Sequence, residues 1–453
     1  MAFIESIVSA FNGVLWGWPM LILLVGTGVF FTIRTKFIQV RFFGAGMKKV
    51  FGGIKFKGGK QEGGLSSFQA LTTAIAAQVG TGNIAGASTA IATGGPGAIF
   101  WMWLAAFFGM ATIYGEATLA QHTRVVKEDG SVVGGPVYYI KSLFKGKFGN
   151  FLAVFFSIFT IIALGLFGNM VQSNSIADSF NVAFGAPKLA VGLVCAVIAG
   201  LIFLGGIQRI ASVTEKVVPI MATLYVVGSI VILCMCGGEA VLHAFKQIFV
   251  MAFSPEAMGG GVLGITVQKA MRYGFARGLF SNEAGMGSTP HAHATAKVDN
   301  PSDQGIVAMI GVFIDTFIVL TMTALVVVAT GMWNSGETGS ALAQAAYSVH
   351  FGQLGSMFIA ICMLFFAFTT IIGWYYFGEV NVRHLFGDKA VKAYTILVIL
   401  FVIAGSMLKV SLVWDMADMF NGLMVIPNLI ALLAGSGIVV KLTKDYEKKN
   451  KLK

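Results

Sequence analysis

The chain has 453 residues and a net charge of +11, with 56% hydrophobic side chains, only 11% charged ones and a mean hydropathy of +0.81. Too few polar groups remain to cover a soluble globule, so its main solvent must be lipid. The basic residues cluster in short loops and a tail, which assigns the positive balance to juxtamembrane charge and argues against nucleic acid as a partner.

The N-terminal stretch MAFIESIVSAFNGVLWGW has no basic n-region and no small-residue cleavage site before its apolar run, so it reads as a retained helix rather than a signal peptide. Apolar runs punctuated by Gly, Pro and charge predict spans near 14–34, 66–92, 97–122, 150–178, 187–206, 213–236, 262–288, 303–330, 354–380, 391–407 and 412–440. The expectation is an all-α polytopic membrane protein with eleven transmembrane helices and a single membrane domain. Loop 34–65 holds Arg34, Lys36, Arg41, Lys48, Lys49, Lys55, Lys57 and Lys60, so the positive-inside rule makes it cytoplasmic and places the N-terminus outside. Most of the Lys and Arg then fall inside, Lys188, Lys246 and Lys409 outside, and Lys269, Arg272 and Arg277 within a span. The basic tail, 441–453, is cytoplasmic and solvated. Cys195, Cys234, Cys236 and Cys362 lie in apolar segments without metal-site spacing and read as buried free thiols.

Two spans are interrupted alike, by Gln78-Val79-Gly80-Thr81-Gly82-Asn83-Ile84-Ala85-Gly86 and by Phe280-Ser281-Asn282-Glu283-Ala284-Gly285-Met286-Gly287-Ser288. Backbone leaves a helix at mid-membrane depth only where protein or a wet cavity supplies hydrogen bonds, because lipid offers none. Glycine also serves close helix packing, but here Gly80, Gly82 and Gly86 flank Thr81 and Asn83, and a second polar break opens the other half of the chain. That pairing points to an inverted repeat: segments 66–236 and 262–440 each hold five spans, and an odd number inverts the second relative to the first. Half-helix N-termini present N–H groups to a carboxylate and half-helix C-termini present carbonyls to a cation, a geometry that suits a zwitterion and Na+ together.

Ionisable groups within spans are costly and need a partner or a water-filled path. Glu283, inside a break, is the candidate coupling group, orienting Arg or backbone groups or carrying a proton. The role of Glu116 stays open, pairing with a basic loop residue being its plain structural reading, and Asp315 takes no role from the sequence beyond an alternative proton site. Arg272 and Arg277 lie at the level of Asp415 and Asp418; an Arg277–Asp415 pair would close the external path or serve as a permanent structural ion pair. His291 and His293, on a loop of small residues without a third ligand, read as surface histidines.

The string Gly-Gly-Pro-Gly-Ala-Ile-Phe-Trp-Met-Trp-Leu-Ala-Ala at 94–106, directly after GTGNIAG, closely resembles the signature of the alanine or glycine:cation symporter family, and the resemblance extends through SNEAGMGSTPHAHATA at 281–296. That family looks like a member of the amino acid-polyamine-organocation superfamily, which implies a LeuT-like five-plus-five fold with 14–34 as an extra N-terminal helix. The resemblance implies that amides around Gly80, Thr81 and Gly82 bind the substrate carboxylate, with Gln78 and Asn83 nearby. It implies further that Phe280, Ser281 and Asn282 face the same cavity, joined by Phe167, Asn169 and Gln172 of the fourth span. The fold places Na+ between the first broken helix and a hydroxyl pair, here Ala76 and Val79 with Thr369 and Thr370; back-bonding of those threonines to their own helix is the alternative. Trp374, four residues beyond Thr370 and so on about the same face, either walls the pocket or is a core tryptophan with no such role.

The expected function is alternating-access symport of small neutral amino acids such as alanine and glycine with Na+, proton coupling through Glu283 or Asp315 being the alternative. Contacts with lipid but no obligate protein partner are implied, in the plasma membrane. No GxxxxGK[ST], HExxH or Ser–His–acid arrangement supports an enzyme or an ATP-driven pump, and a passive channel would not need a threonine pair matched to one ion.

Overall fold

The computed structural model describes residues 2–52, 64–128, 130–254, 267–408 and 410–450. Lys55, Lys57, Lys60 and Lys409 of the charge pattern, residues 262–266 of the seventh expected span and the end of the tail, 451–453, lie outside the described residues. Helix dominates, as the composition requires. In chain order the main helices are α1 (Ala2–Leu15), α2 (Trp18–Arg34), α3 (Ser67–Gln78), α4 (Ala87–Gly94), α5 (Gly97–His122), α6 (Gly146–Phe184), α7 (Lys188–Phe203), α8 (Gly206–Cys236), α9 (Val267–Asn282), α10 (Pro301–Ala329), α11 (Gln353–Phe386), α12 (Val391–Met407) and α13 (Val410–Lys449).

Seven helices among the described residues are long and apolar enough to cross a membrane, and an eighth span forms if α1 and α2, bent by 43°, count as one. On that count the first span begins well before residue 14; the bend falls at Gly17, whose N–H turns to Val14 O at 3.2 Å, and at Pro19, which has no N–H for the i to i−4 ladder. The three expected spans beyond these eight are the two interrupted ones, whose pieces are too short alone, and α7, a 16-residue apolar helix. Six α-helices among the described residues that the span pattern does not contain, Ile38–Arg41, Phe43–Phe51, Pro136–Leu143, Gly238–Met251, Pro290–His293 and Gly339–Phe351, lie between spans, and a two-stranded hairpin, β1 (Val125–Val126) and β2 (Val132–Val133), follows α5. Of the cysteines, Cys195 and Cys362 are buried as expected, whereas Cys234 is exposed and Cys236 half-buried. Apolar thiols are tolerated on a lipid-facing surface as readily as inside.

Among the described residues three π-helical segments, Gly82–Gly86, Ile161–Gly168 within α6 and Phe313–Leu320 within α10, occur in the elements that meet between the two breaks. Such bulges redirect side chains and free carbonyls, and they concentrate at functional sites. Helix α11 packs against α3, α6 and α8, so it bridges the first broken helix to the rest of the bundle.

Candidate functional site

Helix α3 starts at a capping box in which Ser66 and Gln69 exchange hydrogen bonds of 3.1 Å, and it stops at Val79, whose ψ of 86° ends the ladder. The chain then resumes as the π-helical turn leading into α4. The freed amides are not bare. Gly80 N donates to Asn83 Oδ1 at 2.9 Å and Thr81 N to Gln172 Oε1, from α6, at 3.2 Å. The amides that the sequence offers to a carboxylate are thus held by two side-chain oxygens in this state, because buried N–H groups must find an acceptor.

The second break is more open. Helix α9 ends at Asn282, Glu283 adopts φ 58° and Gly285 and Gly287 adopt φ 90° and 80°. The left-handed geometry suits the two glycines and is strained for Glu283. Glu116 of α5, fully buried, accepts from Gly285 N at 3.0 Å, Gly287 N at 2.9 Å and Asn428 Nδ2 at 2.7 Å. This corrects the plain reading of Glu116 as paired with a basic loop residue: its acceptors are used by the unwound backbone, three residues beyond the point where helix bonds run out. Glu283 accepts from Trp374 Nε1 and Ser288 Oγ. His291 and His293 are also not on the surface. Both are buried, His291 between Phe156 and Phe377 with Nε2 2.9 Å from Asn381 Nδ2, and His293 with Nδ1 2.8 Å from Gln304 Nε2. The segment after the break folds inward because its backbone needs partners, as the bonds from Gln121 to the carbonyls of His293 and Ala296 show.

The two breaks meet directly. Gln78 Nε2 donates to Asn282 O at 2.8 Å, and a Cβ on Gly82 would stand 2.9 Å from Ser281 Cα, so only glycine permits this approach. Between them lies Asp315, from the π segment of α10. Its Oδ1 accepts from Asn83 Nδ2 at 2.6 Å, both oxygens lie 3.1 Å from Ser281 Oγ, and Oδ2 accepts from Thr316 Oγ1 at 2.7 Å. None of the salt bridges among the described residues involves Asp315, Glu283 or Glu116. The sequence offers Asp315 only as an alternative proton site, on the signal of an acid in the middle of an apolar span; its position between the two breaks comes from the structure. Gln78 Oε1, Thr81 Oγ1, Asn169 Oδ1 and Gln172 Nε2 are buried without a hydrogen-bond partner among the described residues, so each is open to a ligand atom.

Of the expected ion ligands, Thr370 Oγ1 lies 2.9 Å from Ala76 O and 3.0 Å from Phe366 O. Thr369 turns away: its hydroxyl donates to Phe365 O and Phe366 O of its own helix and lies 3.6 Å from Met221 Sδ of α8. Adjacent helical residues point about 100° apart, so the two hydroxyls serve different faces. Trp374 is buried and stands edge-on to Phe280 at 5.6 Å, which makes it part of the wall beside the second break. Phe280 also meets Trp414 at 4.8 Å, and Arg277 lies 4.7 Å over the Trp414 ring while forming two bonds, 3.1 and 2.6 Å, to the Asp418 carboxylate. The carboxylate that takes Arg277 is therefore Asp418 rather than Asp415, whose carbonyl accepts from Asn12 Nδ2. The rotation and axial level of α13 make that choice. Of the three α6 candidates, Gln172 reaches the first break, Asn169 back-bonds to Gly165 O, and the ring contacts of Phe167 are with Phe420 and Phe401.

Amides and unpartnered polar atoms suited to a zwitterion, oxygens suited to a hard cation, and an aromatic wall are thus assembled around two helix breaks. The profile described as the sodium:alanine symporter family matches residues 1–453. The chain is 43% identical over 455 residues to a protein of Methanococcus maripaludis named sodium/alanine symporter AgcS, covering 99% of each. It is 39% identical over 450 residues to a Bacillus subtilis protein named probable sodium/glutamine symporter GlnT, covering 99% of this chain and 92% of that one. Among solved structures it is similar to MhsT in complex with L-phenylalanine, with a TM-score of 0.58 and 15% identity over 84% of this chain and 99% of that one. At that identity the likeness establishes the fold, which is LeuT-like.

Proposed function

This chain belongs to the sodium:alanine symporter family, a family of membrane transporters and not of enzymes, and from that premise we propose that it moves small neutral amino acids such as alanine and glycine together with Na+ across the cell membrane by alternating access. The substrate carboxylate takes the amides of Gly80, Thr81 and Gly82, displacing the oxygens of Asn83 and Gln172. Its ammonium faces the carbonyl end of α9 at Phe280, Ser281 and Asn282, and its side chain meets Phe280 and Trp374. Na+ takes the Thr370 hydroxyl with the carbonyls of Ala76 and Val79, an all-oxygen set that suits a hard cation.

The observation that carries this reading is the meeting of the two breaks at Gln78 and Asn282, beside buried polar atoms of Gln78, Thr81 and Gln172 that have no partner among the described residues. The pair of broken helices then rocks against the rest of the bundle to open the site inward, with the N-terminus outside and the C-terminus cytoplasmic. A sodium ion entering down about 100 mV contributes ~2.3 kcal/mol, enough to concentrate an uncharged zwitterion about 50-fold.

The test is uptake of labelled alanine into proteoliposomes under an imposed Na+ gradient, with K+ as the control cation, unlabelled glycine and glutamine as competitors, and the variant Thr370→Ala. Uptake that needs Na+, falls with glycine and loses its Na+ dependence in the variant is the expected result. Equal uptake in K+ overturns Na+ coupling, and stronger competition by glutamine than by glycine overturns the small-substrate assignment.

A further inference from the structure

Helices α7 and α12 pack together on the outer surface of the bundle and leave an open groove of about 520 Å3 between them. Its walls include Val197, Leu201 and Ile396, each about 60% exposed, and Gly200 forms part of its floor. A Cβ on Gly192 would meet Ser406, and one on Gly200 would meet Ile399, so the helices run antiparallel and Lys392 falls at the Leu201–Leu204 end. Among the described residues Lys392 is the one charged residue that lines the groove; the hydroxyl of Thr395 beside it is engaged by Tyr375 Oη and Val391 O. At the same end Arg209, exposed at the start of α8, donates to Leu201 O at 2.7 Å, which fixes its guanidinium beside the groove mouth. Neither cation enters a salt bridge among the described residues.

An apolar trough with two cations at one end complements a molecule with a hydrocarbon tail and a negative head. A second copy of the chain docked about a two-fold axis would set this basic end against itself or against hydrocarbon, since the groove lining contains no acidic residue. We propose that the groove binds one acyl chain of an anionic phospholipid, with the headgroup phosphate held between Lys392 and Arg209. Arginine supplies the planar fork and lysine the point charge that phosphate recognition uses. The basic end lies on the side of the cytoplasmic loops under the orientation proposed above, so the lipid comes from the inner leaflet, where anionic headgroups concentrate.

The full-length protein in detergent, titrated with phosphatidylglycerol or phosphatidylcholine and read by native mass spectrometry, tests this. Phosphatidylglycerol is expected to bind more tightly than phosphatidylcholine. The double variant Arg209→Gln/Lys392→Gln, altered only at exposed positions, should weaken phosphatidylglycerol about 30-fold, the factor that ~1 kcal/mol per basic residue implies, and leave phosphatidylcholine unchanged. Equal binding of the two lipids by the unaltered chain, or phosphatidylglycerol binding unmoved in the variant, overturns the proposal. A dimer that dissociates in the variant, without any difference in lipid retained, assigns the groove to a second copy instead.

Discussion

The first break, Gln78–Gly86, departs little from a helix: its amides are held by the side-chain oxygens of Asn83 and Gln172, and its approach to the second rests on the bare Cα of Gly82. The second break unwinds fully, through three consecutive-but-one residues at positive φ, and it is held from outside by the buried carboxylate of Glu116 and the amide of Asn428. Neutral side-chain acceptors exchange for a ligand carboxylate at small cost, whereas a buried acid bonded to two amides does not let go without leaving donors unmade. The first break is thus suited to trade partners with a ligand, and the second to keep its shape.

The harshest way to break that contrast is Glu116→Leu. It leaves Gly285 N and Gly287 N without their acceptor and Asn428 Nδ2 with Gly285 O alone, and at about 1–3 kcal/mol for each buried donor left unmade the loss should reach ~3 kcal/mol or more. Unfolding in detergent should show a sharply lowered midpoint together with lost uptake, and Glu116→Gln, which keeps one acceptor oxygen, should recover part of both. An unshifted midpoint in Glu116→Leu would mean that the second break does not depend on this side chain.

Asp315→Asn probes what joins the breaks rather than what holds one of them. The new amide would present N–H groups to Asn83 Nδ2 or to the hydroxyls of Ser281 and Thr316, so one contact is lost or reversed whichever way it turns. Uptake should fall about tenfold, in line with ~1–3 kcal/mol for a mismatched buried group, and half-maximal uptake should need more Na+. Unchanged Na+ dependence with a lowered unfolding midpoint would make Asp315 a structural pin only.

How much of this was legible in the sequence differs residue by residue. Glycine next to hydrogen-bonding side chains inside an apolar run located both breaks, because the cost of unpaired backbone in lipid leaves few other reasons for that composition. The signature at 94–106 carried the family resemblance, yet in the structure its tryptophans do packing work, Trp101 donating to Ala252 O and Trp103 to Thr321 Oγ1. Partners far apart in the chain were not legible: Asp315 reaches Asn83 across 232 positions, and Glu116 reaches Gly287 across 171. Nor was helix rotation, which turns Thr369 towards Met221 and Phe167 towards Phe420 and selects Asp418 for Arg277. Loop-like composition around His291 and His293 hid the fact that backbone leaving a helix must itself be buried to find partners.

Gly82→Ala sharpens the comparison at the contact between the breaks. The added Cβ would lie 2.9 Å from Ser281 Cα and 3.0 Å from its Cβ, and backbone cannot give way as the end of a flexible side chain does. Overpacking of this kind costs about 1–3 kcal/mol. Because α4 and α9 must separate slightly, the expected result is a severalfold loss of alanine affinity with an unfolding midpoint lowered less than in Glu116→Leu. A loss confined to stability, with affinity intact, would show that the contact serves packing alone.

The smallest effect belongs to Thr369→Val, and its value lies in the pairing with Thr370→Val. Both hydroxyls sit on α11 and both back-bond to Phe366 O, but only that of Thr370 also reaches the Ala76 carbonyl at the end of α3. Valine has nearly the shape of threonine, so each substitution removes a hydroxyl while leaving packing almost intact; the Thr369 hydroxyl gives up bonds only within its own turn and a weak contact to Met221 Sδ. Na+ titrations of alanine uptake should therefore move by no more than about twofold in Thr369→Val, the shift expected for ~0.5 kcal/mol, and collapse in Thr370→Val. If the two variants fall together, the hydroxyl of Thr369 must swing off its own helix when the ion binds, and the ion site is a pair after all; if neither falls, the carbonyl end of α3 holds the ion without α11.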